Sequence, residues 1–504
     1  MSVFADWIEE ESLAEASIPI VGSLYRRQNV VTTIHGRRLV GLSANQVLKA
    51  HRFARHLDGA ELHPSETFPV LRALATLDLG PAVVDVAALL RRHRELLAAG
   101  SAPGELDAGA PHDLDAFLRT ELADVVGHGS EALAPTDVVL YGFGRIGRLV
   151  TRILLARAGG ASGLRLRAVV LRPGGPGDLT KRASLLRRDS IHGPFDGTIT
   201  VDEAAQTITA NGTVIQVVRA EAPDRVDYRA IGIEDAVVVD STGSWRDRAA
   251  LERHLAAPGA GRVLLTTAAK GDVPNIVHGV NDAEIADERI LAAASCTTNA
   301  VTPVLAALHE RYGVRHGHVE TVHAFTNDQN LTDNHHRADR RGRAATLNMV
   351  VTETGAAKAV GAAYPELAGR LTGNAIRVPV SNGSLAVLSL QLDGAPDRDE
   401  LNAFLRDVSL VSSLRRQVDY VESPEFASSD VLGSRKAGVV DGLATIADGD
   451  GSAVVYVWYD NEHGYSRQVV RVLESMTGVR LPAFPRDRVD AAGRSIAPLA
   501  VAER

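Results

Sequence analysis

The chain has 504 residues, of which 45% are hydrophobic, a formal charge of -8 and a single cysteine. That length exceeds one ordinary core, so two or three domains are expected. The acidic balance argues against nucleic acid as the main partner, and a lone thiol allows neither an intramolecular disulfide nor a thiolate metal cluster; no metal site is expected. No run of about 18 uncharged apolar residues offers a membrane span. The acidic start "MSVFADWIEEES" is the opposite of a secretory signal, so a cytoplasmic protein is expected.

From residue 1 to about 135 the pattern predicts an added helical region without a chemical motif. Its clearest helix is "AVVDVAALLRRHRELLAAG" (82–100), followed by the Gly/Pro/Ala-rich "GSAPGELDAGAPHD". The basic runs "RRHR" (91–94) and "RADRRGR" (337–343) read first as solvated faces.

After "ALAPTD" the texture changes. "DVVLY" (137–141) reads as a buried strand, then come a glycine-rich turn, a helix in "RLVTRILLARAG" and a second strand in "LRLRAVVL" (164–171): a β-α-β unit. Further strands are expected in 198–218, 236–242 and 262–268, giving a doubly wound parallel sheet with an antiparallel hairpin inserted. Past residue 296, alternating stretches such as "HGHVETVHAF" and "SLAVLSLQL" predict a second, half-exposed and largely antiparallel sheet. The tail from Leu481 is rich in Pro and Arg and reads as loosely packed. The expected domains are a helical extension (1–135), a dinucleotide-binding domain (136–295), a catalytic domain (296–460), a helix returning to the dinucleotide-binding domain (461–480) and a tail (481–504).

The stretch "YGFGRIGR" (141–148) places Gly142, Gly144 and Gly147 in a G-x-G-x-x-G frame between strand and helix, with Phe143, Arg145 and Ile146 in the same turn. Gly142 permits the tight turn, Gly144 lets a pyrophosphate approach the backbone, and Gly147 allows close helix-strand packing. The helix N-terminus supplies N-H groups and a positive dipole end for phosphates. An NAD site usually has a carboxylate at the end of the second strand, but Arg172 stands there. It either pairs with the 2'-phosphate of NADP or is a solvent-facing loop residue, with Asp178 as a late substitute for the carboxylate.

The cysteine, Cys296, lies in "SCTTN" just before "AVTPVLAALHERYG", whose Val301, Val304, Leu305 and Leu308 share one helical face. A thiol at a helix N-terminus is favoured as thiolate; the alternative is a buried inert cysteine. Pro303 is tolerable only near the helix start or with a kink. A strand-like run, "VHAFTNDQ" (322–329), offers His323 as a partner that could pair with the thiolate and shuttle its proton.

Eight motifs in order, "YGFGRIGR", "DSIHGPFDG", "TTAAKGDVP", "ASCTTNA", "TVHAFTNDQ", "TGAAKAVG", "RVPVSN" and "WYDNEHGYS", resemble phosphorylating glyceraldehyde-3-phosphate dehydrogenase from about residue 137 to 480. The resemblance implies a Rossmann-type dinucleotide-binding domain plus an α+β catalytic domain. It implies reversible, phosphate-dependent oxidation of glyceraldehyde 3-phosphate to 1,3-bisphosphoglycerate, in glycolysis or gluconeogenesis. In that chemistry Cys296 forms a hemithioacetal and then a thioester, His323 takes the proton, and hydride goes to NAD or NADP.

Ser295, Thr297, Thr354 and Gly355 match positions for the incoming phosphate, and Thr326, Asp328, Arg341 and Arg377 positions around the substrate phosphate or between the two. Thr242, Gly243, Thr266, Asn461 and Tyr465 match cofactor-pocket positions, Asn461 that of the nicotinamide carboxamide. The family's second cysteine is replaced by Ala300, and a Leu-Pro pair typical of NAD-specific members by Asn334-His335. With Arg172, that second change implies dual or NADP-leaning use. The family also implies a homotetramer. Alternatives are erythrose-4-phosphate dehydrogenase, disfavoured by Arg341, Thr354 and Arg377, and a regulatory or binding protein on the dehydrogenase scaffold.

Overall fold

The computed structural model describes residues 3–99, 113–129, 134–158, 163–478 and 481–486. These fall into two compact units. One comprises 1–135, 157–163 and 479–504, the other 136–156 and 164–478.

The first unit contains the expected helices. They are Val3–Gln28, Ala44–Arg52, Pro64–Leu74, Val86–Ala99 and Leu114–Glu121. Ser43 caps the second of these, its hydroxyl accepting from the Gln46 N-H while the Gln46 side chain accepts from the Ser43 N-H. The unit also contains a small sheet in the order Arg37–Arg38, Val30–Ile34, Ala82–Asp85, Ala483–Phe484. The start of the 82–100 segment is therefore strand, because β-branched Val83 and Val84 pair with Val31 and Thr32; the helix begins at Val86, with the Asp85 carboxylate accepting from the Ala88 N-H. The expectation of a loose tail is corrected for residues 481–486. Ala483 and Phe484 pair in parallel with Val83 and Val84, and Phe484 is buried. The rest of the tail, 487–504, lies outside the described residues.

The second unit holds two eight-stranded sheets. The first runs Ile290–Ala292, Ala260–Leu265, Ala236–Asp240, Thr136–Tyr141, Leu164–Leu171, Thr213–Arg219, Thr207–Ala210, Ile199–Asp202. The first six strands are mutually parallel, and the last two form the inserted antiparallel hairpin. Strands Thr136–Tyr141 and Ala236–Asp240 bury Val138, Val139, Leu140 and Val237, Val238, Val239, as a parallel strand covered on both faces must. Their carboxyl ends lie side by side where the strand order reverses, the position at which such sheets form a ligand crevice. The helix His463–Met476 shares this core through Val469, Val470, Leu473 and Met476.

The second sheet has the order Val350–Thr352, Leu371–Val378, Val314–Ala324, Ser384–Leu392, Ser452–Tyr459, Gly438–Asp441, Val418–Val421, with Ile446–Ala447 on the Ser452–Tyr459 strand. It is largely antiparallel and alternates buried with half-buried or exposed positions, most regularly along Ser384–Leu392. Two pairs are parallel. Val314–Ala324 runs parallel to Leu371–Val378 because the connection between them crosses over through the helix Ala356–Ala363; Val418–Val421 runs parallel to Gly438–Asp441.

The helix Cys296–Tyr312 packs against the buried face of this sheet. It is buried all round from Thr297 to Leu308, not on a single face, because it is the central element of its core. Pro303 sits in its interior, where the missing N-H leaves the Asn299 carbonyl without its helical donor. Among the described residues, no helix is long and apolar enough to cross a membrane.

Candidate active site

Cys296 is the first residue of its helix, and Ser295 is the cap, its hydroxyl accepting from the Thr298 N-H at 3.0 Å. Ala294, just before the cap, has φ +53, a conformation that costs a non-glycine residue of the order of 1 kcal/mol. The Tyr465 hydroxyl donates to the Ala294 carbonyl at 3.0 Å and holds this turn. The cysteine is thus presented at the helix N-terminus by a fixed, strained approach.

The Cys296 Sγ lies 3.4 Å from His323 Nε2. His323 is the penultimate residue of the strand Val314–Ala324, and its Nδ1 is 2.7 Å from the Ala324 carbonyl. A carbonyl only accepts, so the proton is assigned to Nδ1 and the basic lone pair of Nε2 faces the sulfur. Arg377 is the direct neighbour of His323 in the parallel strand pair; its Nη1 donates to the same carbonyl at 3.0 Å and lies 2.9 Å from Nδ1. Burial, and then the Arg377 charge, hold the imidazole down to about 3. Burial pushes the Cys296 thiol up, opposed by Arg377 and by hydrogen bonding from Thr297. Burial thus opposes the charged form of both groups, while the helix N-terminus and Arg377 favour the thiolate.

Beside this pair is a cationic, hydroxyl-rich patch. Arg377 Nη1 reaches Thr326 Oγ1 at 3.5 Å, and its buried Nε has no partner. Arg341 donates to Asp328 at 2.6 Å and to the Thr352 hydroxyl at 3.1 Å, while the Thr326 hydroxyl donates to Asp328. Burial pushes the Asp328 carboxyl up, but the Thr326 hydroxyl and the two arginines outweigh it and hold it below the usual carboxylate range. Thr354 and Gly355 lead into the helix Ala356–Ala363, with the Thr354 hydroxyl accepting from the Ala356 N-H. The hydroxyl of Thr297 bonds that of Tyr459 at 3.0 Å.

The glycine turn fits a dinucleotide. Gly142 has φ +98, and a Cβ on Gly147 would sit 2.7 Å from the Gly142 carbonyl oxygen and from Ser241 Oγ. A Cβ on Gly144, the cap of helix Arg145–Leu155, would meet nothing within 4 Å, which leaves an open cradle at the helix N-terminus. Phe143 is buried and Ile146 packs on the core beneath. The Arg145 side chain turns away to Asp189 (2.5 Å) and Glu462 (2.7 Å), so only its backbone faces the cradle's phosphate side. Thr242 is tied to Asp240, Gly243 has φ +68, and the Thr266 N-H donates to the Asp240 carbonyl.

Arg172 is exposed just past the second strand, its carbonyl accepting from Arg219. Asp178 is engaged by its own bonds: Arg182 reaches both of its oxygens, and Arg219 donates to Oδ2. Asn461 is buried, and its Oδ1 accepts from the Ser384 hydroxyl at 2.8 Å. Ser384 in turn accepts from the Ala324 N-H, which ties Asn461 to the residue after the histidine.

Several supporting residues escaped the sequence reading: Ser384, Tyr459, Asp240, and Asp460 with Glu462. Asp460 accepts from the N-H groups of Glu462, His463 and Gly433 and from Asn382. The only signal for it was its place beside Asn461 in "YDNEHGYS".

Comparison with known proteins matches these same segments. Residues 136–248 match the model of the glyceraldehyde 3-phosphate dehydrogenase NAD-binding domain, and residues 295–461 that of the C-terminal domain. A glyceraldehyde-3-phosphate dehydrogenase-like protein of Pseudomonas aeruginosa is 54% identical over 473 residues, covering 93% of this chain and all of the relative, so the likeness includes most of the N-terminal unit. Glyceraldehyde-3-phosphate dehydrogenases of Borreliella burgdorferi and Streptococcus pyogenes are 38% and 39% identical, covering 67% of this chain and 99% and 97% of theirs. With a Rossmann-type sheet, a cysteine at a helix N-terminus facing a histidine and both domain models matched in order, the chain belongs to the glyceraldehyde-3-phosphate dehydrogenase family.

Proposed function

We propose that this protein oxidises glyceraldehyde 3-phosphate and conserves the energy as an acyl phosphate, using inorganic phosphate and NAD or NADP. The observation that carries the reading is the Cys296 sulfur 3.4 Å from the basic nitrogen of His323, with the Arg377 cation alongside.

In this reading Sγ attacks the aldehyde carbon, a C-S bond forms, and the thiol proton passes to Nε2. The backbone N-H of Cys296 at the helix start, with the newly protonated imidazole, steadies the oxyanion. A nicotinamide dinucleotide, when bound, supplies the acceptor for the hydride that the thiohemiacetal carbon gives up. The thioester left on Cys296 keeps a reactive carbonyl. A phosphate oxygen attacks it, the C-S bond breaks, and the sulfur leaves as the thiol with the proton held by His323. Arg377, through its unpartnered Nε, and Arg341 with Thr326 hold phosphate groups; Ser295, Thr297, Thr354 and Gly355 border the site of the incoming one.

Gly142, Gly144 and Gly147 with Thr242, Gly243 and Thr266 would hold the dinucleotide, and the Asn461 amide its carboxamide. Dual or NADP-leaning use is supported by exposed Arg172 where a carboxylate is missing and by the engagement of Asp178 with two arginines. The exposed apolar side chains Leu331, Leu347 and Met349, on the segment after His323, support a homotetramer. A cytoplasmic location belongs to the same reading, because a catalytic thiol needs reducing surroundings.

The test is reduced-dinucleotide formation by purified protein from glyceraldehyde 3-phosphate, with and without phosphate and with each dinucleotide, alongside light scattering for mass. Multiple turnovers that require phosphate, lost by at least about 10³-fold in Cys296→Ser, are expected. Oxidation indifferent to phosphate or to the cysteine would end the reading, a strong NAD preference untouched by Arg172→Asp would end the NADP part, and a monomer would end the tetramer.

A further inference from the structure

A histidine-carboxylate pair lies sealed beneath the strand ends. Asp240 and His254 are both fully buried, and His254 Nε2 is 3.0 Å from Asp240 Oδ2. The other oxygen, Oδ1, accepts from the backbone N-H and the hydroxyl of Thr242, both at 2.7 Å. That hydroxyl in turn accepts from the Ser244 N-H, and the Asp240 carbonyl accepts from the Thr266 N-H. Ser241, between them, donates through Oγ to the Gly142 carbonyl at 3.0 Å.

The turn tied down this way is the wall of the glycine turn: a Cβ on Gly142 would meet Thr242 Cγ2 at 2.9 Å. His254 Nδ1 is buried without a partner. A carboxylate oxygen only accepts, so Nε2 carries the proton, donated to Asp240. Tyr141 and Trp245 close edge-on around the ring, with centroids at 4.8 and 5.7 Å, and keep it in that orientation.

We propose that Asp240 and His254 are positioning residues for the dinucleotide: His254 orients the Asp240 carboxylate, which sets the Thr242–Gly243 turn and the Thr266 segment against the glycine turn before the cofactor arrives. The inference rests on the reading of the chain as an NAD(P)-dependent dehydrogenase. It assigns work to two residues that touch neither substrate nor the reacting sulfur. A pre-set turn saves the ordering cost on binding, so its loss belongs in cofactor affinity and not in the chemical step.

The test uses the full-length protein and three variants. His254→Leu fills the space but donates nothing; His254→Gln can still donate to Oδ2. Asp240→Asn keeps the shape, but its single oxygen cannot serve Thr242 and His254 together. Dissociation constants for NAD and NADP are measured calorimetrically without substrate, together with KM, kcat and melting temperature. We expect His254→Leu and Asp240→Asn to weaken dinucleotide binding about tenfold, as loss of a hydrogen bond to a charged group does, with kcat at saturating dinucleotide and KM for the aldehyde within about twofold.

His254→Gln should return affinity to within about threefold of the parent. If His254→Leu does not fold, Asp240→Asn decides by the same criteria. Folded variants whose dissociation constants stay within about twofold, or whose kcat falls while affinity holds, overturn the proposal. A parent protein that binds neither dinucleotide overturns instead the dehydrogenase reading beneath it.

Discussion

At the residue scale, burial opposes the charged form of both groups proposed to do the chemistry, and one cation acts on the two in opposite senses. Arg377 favours the thiolate of Cys296 and disfavours a protonated His323. A cation lowers the pKa of a neighbouring acid, so removing it raises the thiol further. In cofactor-free protein, Arg377→Gln should therefore move the rising limb of iodoacetamide alkylation of Cys296 to higher pH. No separate imidazole inflection is expected between about pH 5 and 8, because His323 stays neutral across that range. Alkylation rates measured across pH in parent and variant decide it, and a limb that moves down would remove Arg377 from this role. The meeting of Cys296 with His323 was legible because their neighbours form motifs. The effect of burial on the pair was not legible, since spacing alone does not reveal burial.

At the element scale, the glycines of one turn carry different duties, and the structure separates them. A side chain at Gly144 meets open space, whereas one at Gly147 strikes the Gly142 carbonyl oxygen and Ser241. Gly144→Val should therefore leave the melting temperature nearly unchanged while weakening dinucleotide binding at least about tenfold, because the added methyls fill the cradle. Gly147→Val should destabilise the fold by about 1–3 kcal/mol, the range typical of overpacking. Melting curves and binding isotherms on both variants check this, and equal stability losses would contradict it.

The strand-turn-helix pattern here was readable because continuous apolar strands and a glycine frame are local signals. The short strand Ala82–Asp85 was hidden because it runs without a break into the helix Val86–Ala99, and its partner Ala483–Phe484 lies some 400 residues away. Periodicity within a window does not register such a pairing.

At the scale of the whole molecule, every residue assigned to chemistry or cofactor lies in the unit formed by 136–156 and 164–478. The other unit has its own core, built from Val30, Ile34, Leu71, Leu74, Val84, Leu89, Phe117 and Phe484. A protein reduced to residues 136–478 should then keep phosphate-dependent oxidation within about tenfold of the full chain, the two compact units being separate cores. Assays of the shortened and full chains side by side check this; complete loss of activity in a folded, dinucleotide-binding 136–478 protein would mean that the first unit takes part in catalysis. The shared length with the Pseudomonas relative was beyond the reach of one sequence, since nothing in the helical pattern of residues 1–135 names a chemistry.

The most direct measurement is the covalent state of the enzyme during turnover. Full-length protein is mixed with glyceraldehyde 3-phosphate and oxidised dinucleotide in phosphate-free buffer, quenched in acid and mapped by peptide mass spectrometry. The account predicts one acyl adduct, on Cys296, that accumulates stoichiometrically with the reduced dinucleotide and vanishes on adding phosphate. Reduced dinucleotide formed over many turnovers without phosphate, or with no acyl group on Cys296, would contradict it.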